Sequence, residues 1–192
     1  MGSRNAHSKL GRLLQLAYSG ELGAIHAYLG HRRSLRHYAE RLELRRILED
    51  EIRHRRRLLV MLEELHLAPD AYRELKLTFI GRSIGFLCRI GGWFVPMYGA
   101  GRLEAQNVVE YERAARLALV EGREDWVDEL LTLAEVEWDH EHYFREKAAS
   151  HWASRLIPLW PSPLPRERIR ESFEEFRRSP TEIPGVFQPL TR

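Results

Sequence analysis

The sequence predicts an all-α protein built as a four-helix bundle, and three observations predict it. Arg, Glu, Leu and Ala dominate the composition and runs of β-branched residues are scarce. Apolar residues recur at three- and four-residue spacing through four long segments, the period of an amphipathic helix. A polar pattern also appears twice. Glu21 is followed two helical turns later by Tyr28, and Glu51 stands one turn before His54; Glu104 is then followed by Tyr111, and Glu137 stands one turn before His140. One Glu from each of two helices and a Glu-x-x-His pair from each of two others is an arrangement by which a helical bundle holds two metal ions in its interior.

The first helix is expected from about Ser8 to Arg36, with Leu10, Leu13, Leu14, Ala17, Ala24, Tyr28 and Leu35 on its apolar face. Gly20, Gly23 and Gly30 each cost a helix about 1 kcal/mol relative to Ala, so their presence around Glu21 points to close packing or a site that needs room. The second helix is expected from about Glu40 to His66. Its core face carries Leu44, Ile47, Leu48, Leu58, Met61, Leu62 and Leu65 and is interrupted by Glu51 and His54. The midpoint between Glu21 and Glu51 falls on Arg36, in the weakly patterned Arg36–Tyr38 stretch. Two antiparallel helices turning there bring both carboxylates to one height. The midpoint between Glu104 and Glu137 falls beside Gly122, a natural helix stop. The register therefore closes twice.

Pro69 and Asp70 end the second helix, and a short helix is expected to start at Ala71. From Leu77 to Gly101 the chain is rich in Gly, aromatic and aliphatic residues. Its uncharged run from Ile90 to Gly101, which contains Pro96, is too short to cross a bilayer, which takes about 20 residues. This stretch reads as a long apolar crossover between the second and third bundle helices, or as an interfacial segment presenting Phe86, Trp93, Phe94 and Tyr98 with Arg82 and Arg89 opposite. The third helix is expected from about Arg102 to Val120 and the fourth from about Glu124 to His151. Residues 1–153 are thus expected to form the bundle domain and 154–192 a Pro-rich extension. In the extension Pro158, Pro161, Pro163 and Pro165 make a stiff connector, a short amphipathic helix follows from about Arg166 to Arg178, and a tail carries Pro180, Pro184 and Pro189.

Charge and cysteine content narrow the function. Basic and acidic residues nearly balance, at a net charge of +2, so no global field argues for nucleic acid. Cys88 is the single cysteine, which permits neither an intrachain disulfide nor a Cys-x-x-Cys metal knuckle. Met1–Asn5 carries no apolar targeting core, and a cytoplasmic address is the expectation. The Arg-rich second helix (Arg45, Arg46, Arg53, Arg55, Arg56 and Arg57) reads as a solvated face paired with nearby Glu, or as a surface for anionic lipid or a reductase.

Four carboxylates and two imidazoles are hard-to-borderline ligands that suit iron, with manganese as the alternative. The candidate metal ligands are Glu21, Glu51, His54, Glu104, Glu137 and His140; Tyr28 and Tyr111 are candidate catalytic residues that hydrogen-bond ligand carboxylates. Glu110 competes with Glu104, but the Tyr spacing and the midpoint favour Glu104. His142 competes with His140 but faces elsewhere on the helix. Asp50 and Asp139 are candidates to orient a ligand histidine through its second nitrogen.

The stretch Gly20-Glu21-x-Gly23-Ala24-x-x-x-Tyr28-x-Gly30 resembles the first ligand motif of the demethoxyubiquinone hydroxylases, a ferritin-like diiron family. The resemblance continues through Glu51-x-x-His54, a Gly-rich apolar segment, Glu104 with Tyr111, and Glu137-x-x-His140, and it covers about Ser8 to Ala149. The Glu-x-x-His pairs are shared with rubrerythrins and bacterioferritins. Val109 and Glu110 stand where the family often carries histidines. The resemblance implies a ferritin-like four-helix bundle with two iron ions, dioxygen as co-substrate, and an external reductant such as NADH or an electron-donor partner. It also implies hydroxylation of a lipidic quinone-type ring by a protein seated peripherally on the membrane, with contact through residues 77–101. A ferritin-like ferroxidase forming a large homo-oligomeric shell, a rubrerythrin-like peroxidase and a non-catalytic membrane scaffold are the rival expectations.

Overall fold

The computed structural model describes residues 8–179, and within them the chain is all-helical. Six α-helices follow one another: α1 (Lys9–Ser34), α2 (Tyr38–Glu64), α3 (Ala71–Leu87), α4 (Phe94–Val120), α5 (Val127–Ser150) and α6 (Arg166–Arg178). No strand occurs among the described residues. The expected tail with Pro180, Pro184 and Pro189 lies outside them.

Local chemistry sets the helix ends. The Ser8 hydroxyl accepts the Gly11 N–H at 2.8 Å and starts α1. Asp70 accepts from the N–H groups of Tyr72 and Arg73, both at 3.1 Å, and starts α3. Helix α4 stops at Gly122, whose φ of +79° is free of Cβ strain, and the Arg123 N–H reaches back to the Ala118 carbonyl at 2.7 Å. The same reversal ends α2, but there His66 holds the left-handed position at φ +56°. The Leu67 N–H bonds the Leu62 carbonyl at 2.9 Å to complete it.

Helices α1, α2, α4 and α5 form the bundle, with α1 packed on α2 and α4 on α5. Two apolar cores fill it at different heights. One gathers Leu10 and Leu14 of α1, Leu58 and Leu62 of α2, Val108 and Ala115 of α4, and Leu130 and Ala134 of α5. The other gathers Tyr28, Leu44, Ile47, Met97, Ala100 and Phe144. Between them, with one or two residues from each of the four helices, lies a single polar layer.

The crossover differs from the expectation. It is mostly helical: α3 runs through Leu87, and α4 begins at Phe94 instead of near Arg102. Pro96 does not delay α4, because it sits in the first turn, where backbone N–H groups have no intrahelical acceptor anyway. Helix α3 lies outside the bundle against α1. The approach is close enough that a Cβ on Gly30 would run into the backbone of Gly85. Gly23 and Gly30 thus serve the packing of α1 on α3, whereas Gly20 faces open space.

A second correction concerns the aromatics of this segment. Phe94 is only 8% exposed and packs with Ala148, Ala153 and Trp160. Trp93 and Tyr98 are half-buried beside it, and only Phe86, at 62%, faces outward. The exposed apolar surface is instead the outer face of α3, with Leu75, Phe79, Phe86, Leu87 and the following Ile90. No described helix is long and apolar enough to cross a membrane. Beyond α5, Trp160 donates to buried Glu141 at 2.6 Å. Helix α6 then returns over the bundle and places Ile169 and Phe173 in its first core.

Candidate metal centre

The polar layer holds Glu21 from α1, Glu51 and His54 from α2, Glu104 from α4, and Glu137 and His140 from α5. All six are buried, and Glu51, Glu137 and His140 are completely so. Their ligand atoms form two overlapping groups, Glu21–Glu51–His54–Glu137 and Glu51–Glu104–Glu137–His140, with all atoms of a group within 4.8 Å of one another. Glu51 and Glu137 belong to both. His54 Nδ1 lies 2.8 Å from Glu137 and 3.9 Å from Glu21. His140 Nδ1 lies 3.3 Å from Glu51 and 3.8 Å from Glu137. The i, i+3 spacing puts each Glu and its His on one helix face, and the antiparallel register brings the two faces together.

The two tyrosines cross the bundle. Tyr28 on α1 donates to Glu104 on α4, and Tyr111 on α4 donates to Glu21 on α1. Each tyrosine therefore serves the carboxylate of the other helix, not the one two turns before it on its own. Burial, followed by the charges of Glu104 on Tyr28 and of Glu21 on Tyr111, pushes both hydroxyls well above the ordinary tyrosine range, so both remain donors.

Electrostatics without a cation are strained. Burial pushes the carboxyls of Glu51 and Glu104 well up, with Glu137 adding to both, and raises Glu21 in the same direction. Burial acts upward on Glu137 too, but His140, His54 and Glu104 outweigh it and hold this carboxyl well below its ordinary value. Burial acts downward on His140 and is overcome by Glu137 and Glu51, which raise it well above the usual imidazole range. Several ligand-type atoms make no hydrogen bond: Glu21 Oε2, both Glu51 oxygens and His140 Nδ1, while His54 Nδ1 and Glu137 Oε1 meet only as an ion pair at 2.8 Å. Orphaned buried groups of this kind are costly. That they come from residues whose ligand atoms gather, in each group, within 4.8 Å of one another fits a metal ion held among them. Buried acidic and imidazole groups here could hold a metal ion, and the donor set is compatible with iron.

The alternatives sort out by contact. Glu110 is half-buried and belongs to neither group. His142 is exposed, stacks on Trp138 and pairs with Glu146 at 3.4 Å. Asp139 pairs with Arg166 of α6 at 3.0 Å and reaches no ligand histidine. Asp50 does: its carboxylate accepts from His140 Nε2 at 3.1 Å. The α2 arginines are largely paired, Arg45 with Glu49, Arg46 with Glu43, Arg55 with Glu74 and Arg57 with Glu129.

Two contributors escape sequence reasoning. Asn107 donates to Glu104 at 2.9 Å and to Glu137 at 3.3 Å. Its signal was its place one turn after Glu104, on the same helix face. Arg53, which reads as one of the surface arginines, pairs with Asp50 behind His140. No family model matches the chain, and neither a curated protein nor a solved structure matches it.

Proposed function

We propose that the chain is a ferritin-like diiron carboxylate oxidoreductase that uses dioxygen, and that it hydroxylates a lipidic quinone-type aromatic ring in the manner of the demethoxyubiquinone hydroxylases. The observation that carries this reading is the buried layer of four Glu and two His in two groups sharing Glu51 and Glu137. In it, Glu21 and His54 would hold one ion, Glu104 and His140 the other, and Glu51 and Glu137 would bridge. Iron suits this set best, and manganese is the alternative. Bound there, the iron pair supplies the reductive activation of dioxygen, with electrons from an external reductant such as NADH or from a donor protein.

The chain's own part is placement and protection. Tyr28 and Tyr111 hold Glu104 and Glu21 by donating to them, so each of these carboxylates keeps a fixed orientation. The apolar cores on both sides keep water from the layer and preserve the strength of its charge interactions. Apolar substrate access is supported by the outer face of α3, where Leu75, Phe79, Phe86, Leu87 and Ile90 are exposed. Arg33, Arg82 and Arg89 border this face around a groove of about 270 Å³ between α1 and α3. A peripheral seat on an anionic membrane surface suits that pairing of apolar and basic residues.

The test is isotopic. Iron-loaded protein, a reductant and a short-chain prenylated methoxyquinone in detergent are incubated under ¹⁸O₂ and the quinone is weighed by mass spectrometry. The expected product carries one ¹⁸O atom on the ring. Reductant-dependent oxygen consumption with no labelled quinone would replace the hydroxylase with a soluble oxidase or peroxidase.

A further inference from the structure

We infer that the two metal positions are not equivalent: the Glu104–His140 position holds its ion more tightly and fills first, while the Glu21–His54 position is the weaker, exchangeable one. The inference rests on the metal-centre reading above and goes beyond it. The ligands themselves give no reason for a difference, since each position has one terminal Glu, one His and the two shared carboxylates. The difference lies in what stands behind them.

Behind His140 is a built support. Asp50, itself buried, accepts from His140 Nε2 at 3.1 Å. Arg53 pairs with the other Asp50 oxygen, and Arg46 approaches at 3.9 Å. With Nε2 committed as the donor to Asp50, Nδ1 is the nitrogen left to take an ion, and it faces Glu51 and Glu137 in the layer. Asn107 then pins two of the carboxylates of the same group, Glu104 and Glu137. Orientation of this kind is what a ligand otherwise loses entropy to acquire on binding an ion.

The repeated pattern lacks both supports on the other side. Asp50 immediately precedes Glu51, but Val136 precedes Glu137. Asn107 follows Glu104 by one turn, but Ala24 follows Glu21. A valine and an alanine offer no donor or acceptor. Among the described residues the carboxylates that approach His54, Glu21 and Glu137, do so at Nδ1, so no carboxylate stands behind its Nε2 to match Asp50, and Glu21 Oε2 is an orphan. This half also lies against the outside. Tyr18 and Ile25 flank Glu21 on α1, Ile52 and Arg55 directly follow Glu51 and His54 on α2, and these four line a surface groove of about 210 Å³ at the α1–α2 seam. An ion at the unsupported position has the shorter way out.

Loss of a carboxylate behind a metal-binding histidine typically weakens binding about 10–100-fold, which sets the expected size. Metal-stripped full-length protein is titrated with Mn²⁺, by calorimetry for the affinities and by electron paramagnetic resonance for the species. The expected wild-type result is two steps differing at least tenfold in affinity, with an isolated-ion spectrum through the first equivalent and an exchange-coupled pair only in the second. Asp50→Ala should weaken the first step about 10–100-fold and leave the second within about threefold. Asp50→Asn, which keeps an acceptor, should fall between. Asn107→Ala, at a half-buried site that folding tolerates more readily, should weaken the first step more than the second, because of its two carboxylates Glu104 serves only the first position. Two equal wild-type steps, a coupled spectrum from the first addition, or equal weakening of both steps in these variants would overturn the inequivalence and leave the metal centre standing. No Mn²⁺ binding by wild-type protein would overturn the metal centre itself, and the inference with it.

Discussion

Replacing Glu51 with leucine separates a metal-binding layer from a merely polar one, because the two predict opposite signs. Glu51 is completely buried, and neither carboxylate oxygen has a hydrogen-bond partner. Burial, then Glu137, then Glu21 drive its carboxyl well up. In the metal-free protein this group is a liability: an unsatisfied buried polar group costs about 1–3 kcal/mol. Leucine in its place removes that cost and relieves the repulsion that Glu137 and Glu21 exert on a buried carboxyl. A gain of about 2 kcal/mol in a chain of this size raises Tm by about 4–8 °C. Metal acts the other way round. At a free concentration about 100 times Kd, one bound ion stabilises wild-type protein by about 2.7 kcal/mol, or about 5–11 °C. Thermal melts by circular dichroism in chelator and in excess Mn²⁺ should therefore show Glu51→Leu melting above wild type without metal and gaining almost nothing with it. A variant that melts below wild type in chelator and is stabilised by Mn²⁺ as much as wild type would refute the reasoning.

Three further outcomes follow from particular contacts. Gly30→Ala should lose about 1–2 kcal/mol in urea unfolding, since its Cβ meets the Gly85 backbone and overpacking of this kind outweighs the roughly 1 kcal/mol helix-propensity gain; Gly20→Ala, with nothing nearby, should keep that gain. The metal-free protein should lose stability as pH rises. Glu21, Glu51 and Glu104 have folded values above their unfolded ones, so the folded state holds protons that the unfolded state has released from about pH 4 upward, and raised His140 adds to the loss above about pH 6.5. Glu137 runs opposite, but its slope lies below about pH 4.5, where the unfolded group takes up its proton; a metal-free Tm that climbs from pH 5 to pH 8 would contradict the balance. Phe79→Glu with Phe86→Glu should weaken co-sedimentation with anionic liposomes at near-physiological salt while metal content is unchanged, because both side chains stand on the exposed face of α3.

The bundle and its polar layer were legible in the sequence because both are periodic. Apolar spacing located four long helices, and the i, i+3 pairs with their midpoints brought Glu21, Glu51, Glu104 and Glu137 to one height. The short amphipathic helix from Arg166 to Arg178 was legible for the same reason. What escaped depends on partners far away in the chain. Pro96 reads as a break, yet it stands in the first turn of α4, where it removes no helix bond. Phe94 reads as a lipid-facing aromatic, yet Trp160 and Ala153, beyond the bundle's last helix, cover it. The tyrosines were placed by spacing within one helix, whereas their hydrogen bonds cross to the opposite helix. Arg53 reads as one more solvated cation, yet it pairs with Asp50, whose other oxygen turns inward to His140.

The most direct test of the central claim is the metal content of the protein as purified, read together with its visible spectrum after anaerobic reduction and exposure to air. Two iron ions, or two manganese ions, per chain are expected. With iron, the oxidised protein should show carboxylate-bridged ferric absorption in the near ultraviolet, and both metal and absorption should be lost in Glu51→Ala and Glu137→Ala while helical content is retained. Wild-type protein that stays metal-free after incubation with excess ferrous iron, or variants that keep the full complement of two ions, would contradict it.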